Sequence, residues 1–345
     1  MMRQTLSGHP VTSIRLLGLC AIVTLAAARP AHADNVELRI ASLAPSGSPW
    51  MEVLDRAASD TKAKTAGRVS LKYFEGGQQG DERDFVRKIK LGQLDGAAVT
   101  AVGLSMIDES IRVLELPMLF ASAEELDYVA DKLWPYFQKK FEKKGFKLTD
   151  RGEVGWIYFL SKARVEKLSE LRSQKLWLWG DDQLFSAVFK KLGLNGVPLG
   201  VPEVDAALTS GRIDACYGSP VAAVALQWYT KVKYMTSMPM SFAIGATVIS
   251  MDAYKKLSKD DAATVDDIGK KSSIKLRKTI RKANTDNQET MTRKGVTVSQ
   301  TPAAMVDDFT KQSQDLWKEM VGKIYSQDEL DTVIKYRDEY RAKHK

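Results

Sequence analysis

The chain is predicted to be an α/β protein of two lobes, and three observations support this. Two stretches echo each other, 90–100 (Lys-Leu-Gly-Gln-Leu-Asp-Gly-Ala-Ala-Val-Thr) and 209–219 (Thr-Ser-Gly-Arg-Ile-Asp-Ala-Cys-Tyr-Gly-Ser), with Gly92 and Gly211 standing 119 positions apart. Each closes a helix on glycine, which takes positive φ at the C′ position without a Cβ penalty. Each then opens an apolar run suited to a strand buried on both faces. The second observation is size: 345 residues, 44% of them hydrophobic, exceed what one core usually holds. The third is that no low-complexity linker interrupts the chain, so ordered elements must cross between the lobes. Ligands of open α/β sheets bind beyond the carboxyl ends of the strands, so Thr100 to Gly103 and Tyr217 to Pro220 are candidate walls of one cleft.

The first 33 residues read as a secretory signal. Arg3 and Arg15 supply the positive region, Leu16 to Ala28 is an apolar stretch too short to span a bilayer, and Ala31, His32 and Ala33 form an A-x-A cleavage site. The expected mature chain begins near Asp34 in the periplasm. Leu19 before Cys20, where a small residue is required, argues against lipoprotein processing. Cleavage lowers the formal charge from +8 to +5, since the segment carries Arg3, Arg15 and Arg29 and no acid. That mild, dispersed charge argues against nucleic acid as a partner. The densest basic run, Lys270 to Lys282, keeps Ile274 and Ile280 among its charges as a solvated helix does.

Cysteine and histidine counts exclude more. Cys216 is the one cysteine left after cleavage, so the fold cannot rest on an intramolecular disulfide, and Cys216 is expected buried and unreactive. His9 and His32 leave with the signal, and His344 stands next to the C-terminus. Histidine triads, His-ligated zinc and imidazole bases are therefore disfavoured, and no cofactor or metal is implied.

Along the chain, Val36 to Ser42 alternates as a strand, and Ser48 and Pro49 cap and open a helix from Trp50 to Lys64. Val69 to Phe74 is a strand ending in the glycine-rich loop 75–80, which lacks the Lys-Ser/Thr of a phosphate loop. A helix over 84–91 precedes the first echo strand, and the segment 114–120 reads as core or lobe-edge packing. Glu124 to Lys144 is a helix, and Gly155 to Ser161 is the strand that crosses into the second lobe. Then come a strand over 175–179, a helix over 183–192, a short strand over 197–199, a helix over 203–210 and the second echo strand. A helix over 221–231 and a return strand over 242–250 follow. The charged helix 260–294 leaves little room for a separate core and is expected to lie across both lobes. Helices over 306–321 and 327–340 finish the chain. Asp181 and Asp182 suit capping of the 183 helix better than calcium, which needs about six to eight oxygens. Glu203 and Asp205 likewise suit a helix N-terminus.

A resemblance now emerges. Ala44-Pro45 with Ser48-Pro49-Trp50, the Gly76-Gly-Gln78 loop, Leu116-Pro-Met-Leu-Phe120 and, most specifically, Val201-Pro-Glu-Val-Asp-Ala-Ala-Leu-Thr-Ser-Gly-Arg-Ile-Asp214 make the chain similar to a known family. It resembles the DctP-type substrate-binding component of tripartite ATP-independent periplasmic (TRAP) transporters. The resemblance implies a type II-like two-lobed periplasmic binding protein, its lobes joined by crossing strands and a long helix. Residues 34–155 with 251–285 would form lobe I, and 156–250 with 286–345 lobe II. It also implies a non-enzymatic receptor that closes on a small molecule and delivers it to a TRAP permease.

One departure bears on the ligand. The family's organic-acid binders carry an Arg in the strand placed here at 175–179, and this chain reads Leu171-Arg-Ser-Gln-Lys-Leu-Trp177. Indole offers one donor and no charge, and cannot replace a bidentate guanidinium. The chain looks most like the subgroup lacking that Arg, which implies an apolar or amphipathic ligand and a periplasmic tetratricopeptide-repeat partner. The candidate ligand contacts are Ser46, Gln78, Thr100 and Ser219 for polar groups and Trp50, Trp156, Trp177, Trp179, Tyr217 and Trp228 for an aromatic wall. Core packing is the other role open to those rings. Three alternatives stand: an organic-acid receptor using Arg172 or Lys175, a sensory or ABC-type binding protein, and an exported glycosidase, for which no acid pair stands out.

Overall fold

The computed structural model describes residues 35–149, 151–180 and 182–344. The expected signal and cleavage site, Cys20 and Asp181 lie outside them.

In lobe I, β1 (Val36–Ser42) leads into α1 (Pro49–Lys64), then β2 (Val69–Phe74), α2 (Glu82–Lys90), β3 (Gly96–Thr100) and α3 (Ala101–Ser105). The Ser48 hydroxyl accepts from Met51 N at 3.4 Å and Pro49 occupies the first turn of α1. A 3-10 turn, Glu109–Glu115, leads to α4 (Ala123–Lys143) and β4 (Phe146–Leu148), and β5 (Gly152–Ser161) then crosses. Lobe II contains α5 (Leu168–Arg172), β6 (Leu176–Trp179), α6 (Gln183–Leu192), β7 (Gly196–Leu199), α7 (Val204–Ser210), β8 (Ala215–Gly218), α8 (Pro220–Ala225) and β9 (Tyr234–Thr236). The chain returns through β10 (Ser241–Ser250), α9 (Met251–Tyr254) and α10 (Lys259–Arg293), and ends with β11 (Thr297–Ser299), α11 (Ala303–Glu319) and α12 (Gln327–Lys343).

The main sheet order is β2-β1-β3-β10-β5-β8-β6-β7. Strands β1, β2 and β3 are parallel, whereas β10 runs antiparallel to β3 through Gly245 to Ile249 and to β5 through Ser241 to Gly245. The far end of β5 pairs with β8. Both long strands therefore pair with strands on either side of the sheet, as expected of elements that cross between lobes. The two echo glycines do take the left-handed conformation, φ 70° at Gly92 and 73° at Gly211. Helix α10 packs on α1 in lobe I and on β5 and α8, spanning the lobes as its lack of a core face of its own suggests.

One expectation needs correcting. The helix expected over 221–231 stops at Ala225, because Gln227 takes φ 62° and a separate 3-10 turn, Trp228–Thr230, follows. Helix α12 packs on α4. Its anchors are Glu329 on Lys140 (2.8 Å), Glu339 on Lys132 (2.9 Å) and Arg341 on Glu125 (2.6 Å), with Tyr340 tilted against Tyr128.

Candidate ligand-binding cleft

A cavity of about 600 Å³ lies between the carboxyl ends of β1 and β3 on one side and those of β6 and β8 on the other. On the lobe I side, Leu43, Ala44 and Pro45 follow β1, Trp50 opens α1, and Thr100 ends β3. The Trp50 ring N–H donates to Glu153 O at 3.1 Å, fixing the start of α1 against the crossing strand. Thr100 does not offer a free hydroxyl. It donates to Glu82 Oε2 at 2.9 Å and accepts from Val102 N at 3.1 Å, while Thr100 N and Gly103 N donate to Glu82 at 2.7 and 2.6 Å. Burial pushes the Glu82 carboxyl up to about 8 against the pull of these donors.

The lobe II wall is aromatic. Trp177 stacks on Tyr217 with centroids 4.7 Å apart, meets Trp228 edge-on at 5.3 Å and lies 5.8 Å from Trp179, while Phe185 stacks on the other face of the cluster, 4.8 Å from Tyr217. Two of these rings are fixed by polar contacts: Trp177 Nε1 donates to Leu199 O at 2.9 Å, and the Tyr217 hydroxyl accepts from Trp179 N at 3.2 Å. Gly218 makes room for Trp228, since a Cβ there would lie 3.2 Å from the indole Cζ3. The Ser219 hydroxyl caps α8 through Ala222 N at 3.3 Å.

One cation on the wall was missed by the sequence reading. Arg112, from the turn before β4, is 2% exposed and lines the cavity. Its Nη2 donates to Asp182 Oδ2 at 3.0 Å and its Nε lies 3.4 Å from Glu115 Oε2, leaving Nε and Nη1 without a hydrogen bond. Asp182 also caps α6 through Phe185 N at 2.9 Å, as expected, and Glu115 accepts from Ile244 N at 2.6 Å. Burial lowers the Arg112 pKa, but Asp182 and Glu115 outweigh it and the group stands above its ordinary value. Glu115 is pushed up to about 7 by burial, only partly relieved by Arg112. Segment 109–115 carries no helical or strand periodicity, so nothing local signalled that its one cation turns inward.

Of the ten candidate contacts, Trp50, Thr100, Trp177, Trp179, Tyr217, Ser219 and Trp228 line this cavity. The other three do not. Ser46 and Gln78 are exposed on their loops. Trp156 packs edge-on against Phe242 at 5.0 Å and lines a different cavity with Met118, Phe120 and Arg341, because alternation along β5 turns Ile157, not Trp156, to the cleft. Neither Arg172 nor Lys175 reaches the cleft: Arg172 Nε donates to Leu192 O at 2.7 Å, and Lys175 Nζ donates to Gly211 O at 2.5 Å. Cys216 is fully buried in β8, and burial pushes its thiol up.

The comparisons with known proteins agree with this architecture. The DctP family, bacterial extracellular solute-binding protein, family 7, matches residues 40–324. The uncharacterized protein YiiZ of Salmonella typhimurium is 26% identical over 232 residues, covering 65% of this chain and 68% of that protein. Matches to curated relatives from Haemophilus influenzae and Chromohalobacter salexigens span 57% and 60% of those proteins, under two thirds of their length. The sugar acid binding protein DctPAm from Advenella mimigardefordensis, in complex with galactonate, superposes with a TM-score of 0.84 at 19% identity, over 89% of this chain and 99% of that one. A TRAP periplasmic solute binding protein from Xanthobacter autotrophicus with bound β-D-galacturonate gives 0.81 at 22% identity, over 87% and 99%. The two-lobed fold is thus shared with solved solute-binding proteins, and with the family match over most of its length the chain belongs to the DctP family of bacterial extracellular solute-binding proteins.

Proposed function

We propose that this protein is the periplasmic receptor of a TRAP transporter, binding an apolar or amphipathic molecule between its lobes and handing it to the membrane permease. The tetratricopeptide-repeat partner implied by the resemblance belongs to the same reading. The observation that carries it is Trp177. At the strand position where the organic-acid binders place an Arg, an indole lines the cavity, stacked on Tyr217 and flanked by Trp179 and Trp228. The nearby cation, Arg112, is held by two carboxylates of this chain.

Two tests address this reading. Solvent extraction and mass spectrometry of the purified protein should release a lipid-like or aromatic compound. Calorimetry with decanol and with galactonate should show binding of the first, weakened about 10- to 100-fold by Trp177→Ala, the order expected for losing a large aromatic contact. Tight galactonate binding that is indifferent to Trp177→Ala would overturn it.

A second reading has its own observation: Arg112 lines the cavity with its Nε and Nη1 buried and without a hydrogen bond, and the structural neighbours above hold sugar acids. Tight galactonate binding by the native protein, lost in an Arg112→Met variant that circular dichroism shows to be folded, would establish that reading.

A further inference from the structure

The cavity does not end at the cleft. Beyond Trp50 it continues beneath α1 and α10, over the face of the lobe I sheet. Its lining there comes from Val53, Ala57 and Thr61 at one helical face of α1, and from Val265, Gly269 and Leu276 of α10. Below them Ile40, Leu71 and Tyr73 form the floor. From Val53 to Thr61 this arm follows α1 for about 12 Å.

Three further observations mark the arm as a space the fold leaves open. Gly269 stands in the middle of α10, where glycine costs about 1 kcal/mol relative to alanine, yet a Cβ built there meets nothing within 4 Å. The buried apolar residues on this side fail to join the main core. They form two small clusters, one of Leu38, Ile40, Ile249 and Ala253 and the other of Val69, Leu257 and Val265. The Thr61 hydroxyl on the wall is buried without a hydrogen-bond partner. A close-packed interior leaves few voids of this kind, and an apolar void stays dry and receptive to hydrocarbon.

We infer that the arm is a subsite for a single aliphatic chain, so that the ligand is an amphiphile with its polar head in the cleft and its tail between α1, α10 and the sheet. The inference rests on the proposed receptor reading and specifies its ligand. The head lies within the Trp177–Tyr217 cluster near Arg112, whose Nη1 makes no hydrogen bond and suits a head rich in acceptor oxygens. The tail needs no polar partner and would lie along Val53, Ala57, Val265, Gly269 and Leu276, while Asp266, Asp267, Lys270, Ser272 and Ser273 of α10 also border the cavity.

The test is a chain-length series of primary alcohols from hexanol to dodecanol, measured by calorimetry on the mature protein. Each added methylene should tighten binding about fourfold until the arm is full. Gly269→Phe, which projects a ring into the open space, should abolish that gain. Gly269→Ala should raise the melting temperature and keep the gain, showing that helix α10 tolerates a side chain there. A gain unaltered by Gly269→Phe, or no gain in the native protein although every alcohol still depends on Trp177, would overturn the subsite and leave the receptor reading standing. Failure of all the alcohols to bind, with galactonate bound through Arg112, would overturn both.

Discussion

Asp81 accepts the ring N–H of Trp179 at 2.9 Å across the cleft, joining the start of α2 in lobe I to the end of β6 in lobe II. Val201 N donates to the same carboxylate oxygen at 3.2 Å, and Gly200 permits the approach, since a Cβ there would lie 2.7 Å from it. Arg112 and Asp182 make a second bridge at 3.0 Å, and Gln183 on Glu109 a third at 3.1 Å. These contacts tie the two sides of the cleft together, and any opening of the cleft would have to break them.

Trp179→Phe keeps an aromatic, though smaller, ring and removes the donor, leaving Asp81 to cap α2. A hydrogen bond to a charged group contributes about 1.5–3 kcal/mol, so the ligand-free population should shift roughly 10- to 150-fold toward the open form. Small-angle scattering with and without ligand would detect rigid-body rotation of the lobes. A compact shape unchanged by both ligand and mutation would contradict hinge closure.

Arg112→Met should destabilise the fold by about 3–5 kcal/mol, because Asp182 and Glu115 would lose their shared counter-charge in a buried site. Urea denaturation measures this. A loss below about 1 kcal/mol would mean that the network is dispensable.

The acids give the pH dependence two opposite limbs. Glu82 sits at about 8 in the fold against 4.5 for an ordinary glutamate, so the folded state holds its proton more tightly. Its contribution is complete below pH 4.5 and is lost as pH rises toward 8. Glu115, at about 7, acts in the same direction. Glu329 works the other way: although burial raises it, Lys140 and Ser326 N hold it at about 2, so its contribution is present above 4.5 and lost as pH falls toward 2. The melting temperature should peak near the ordinary glutamate value and decline toward pH 8, and Glu82→Gln should flatten the alkaline limb. A Gln variant retaining the full alkaline slope would remove Glu82 as its source.

Gly103→Ala tests the packing around Glu82. Its Cβ would fall 2.7 Å from Val99 Cβ and 2.8 Å from Glu82 Oε2, so the variant should lose about 1–3 kcal/mol in a thermal or urea melt. Wild-type stability would show that α3 shifts freely.

The order of strands and helices was legible in the sequence because each rests on neighbours a few residues away: Ser48 and Pro49 before α1, the glycines after α2 and α7, and the largely apolar stretches 154–160 and 242–249 in β5 and β10. The two cleft lips were legible for the same reason, since a strand must end where its echo glycine and capping Thr100 or Ser219 place it. The aromatic character of the lobe II wall followed from Trp177 and Trp179 alternating with leucines in one short strand. Packing between distant segments decided the rest. Arg112 finds Asp182 70 positions away, Asp81 finds Trp179 98 positions away, and α12 docks on α4 through pairs about 200 residues apart. Trp156 and Ile157 are both apolar, and only the pairing of β5 with β10 and β8 determines which of them faces the cleft. Ser46 and Gln78 suit a binding site by residue type, but their loops turn them to solvent. The arm beneath α1 and α10 is set least of all by local pattern, because a void is the shape left between three elements and no single segment encodes it.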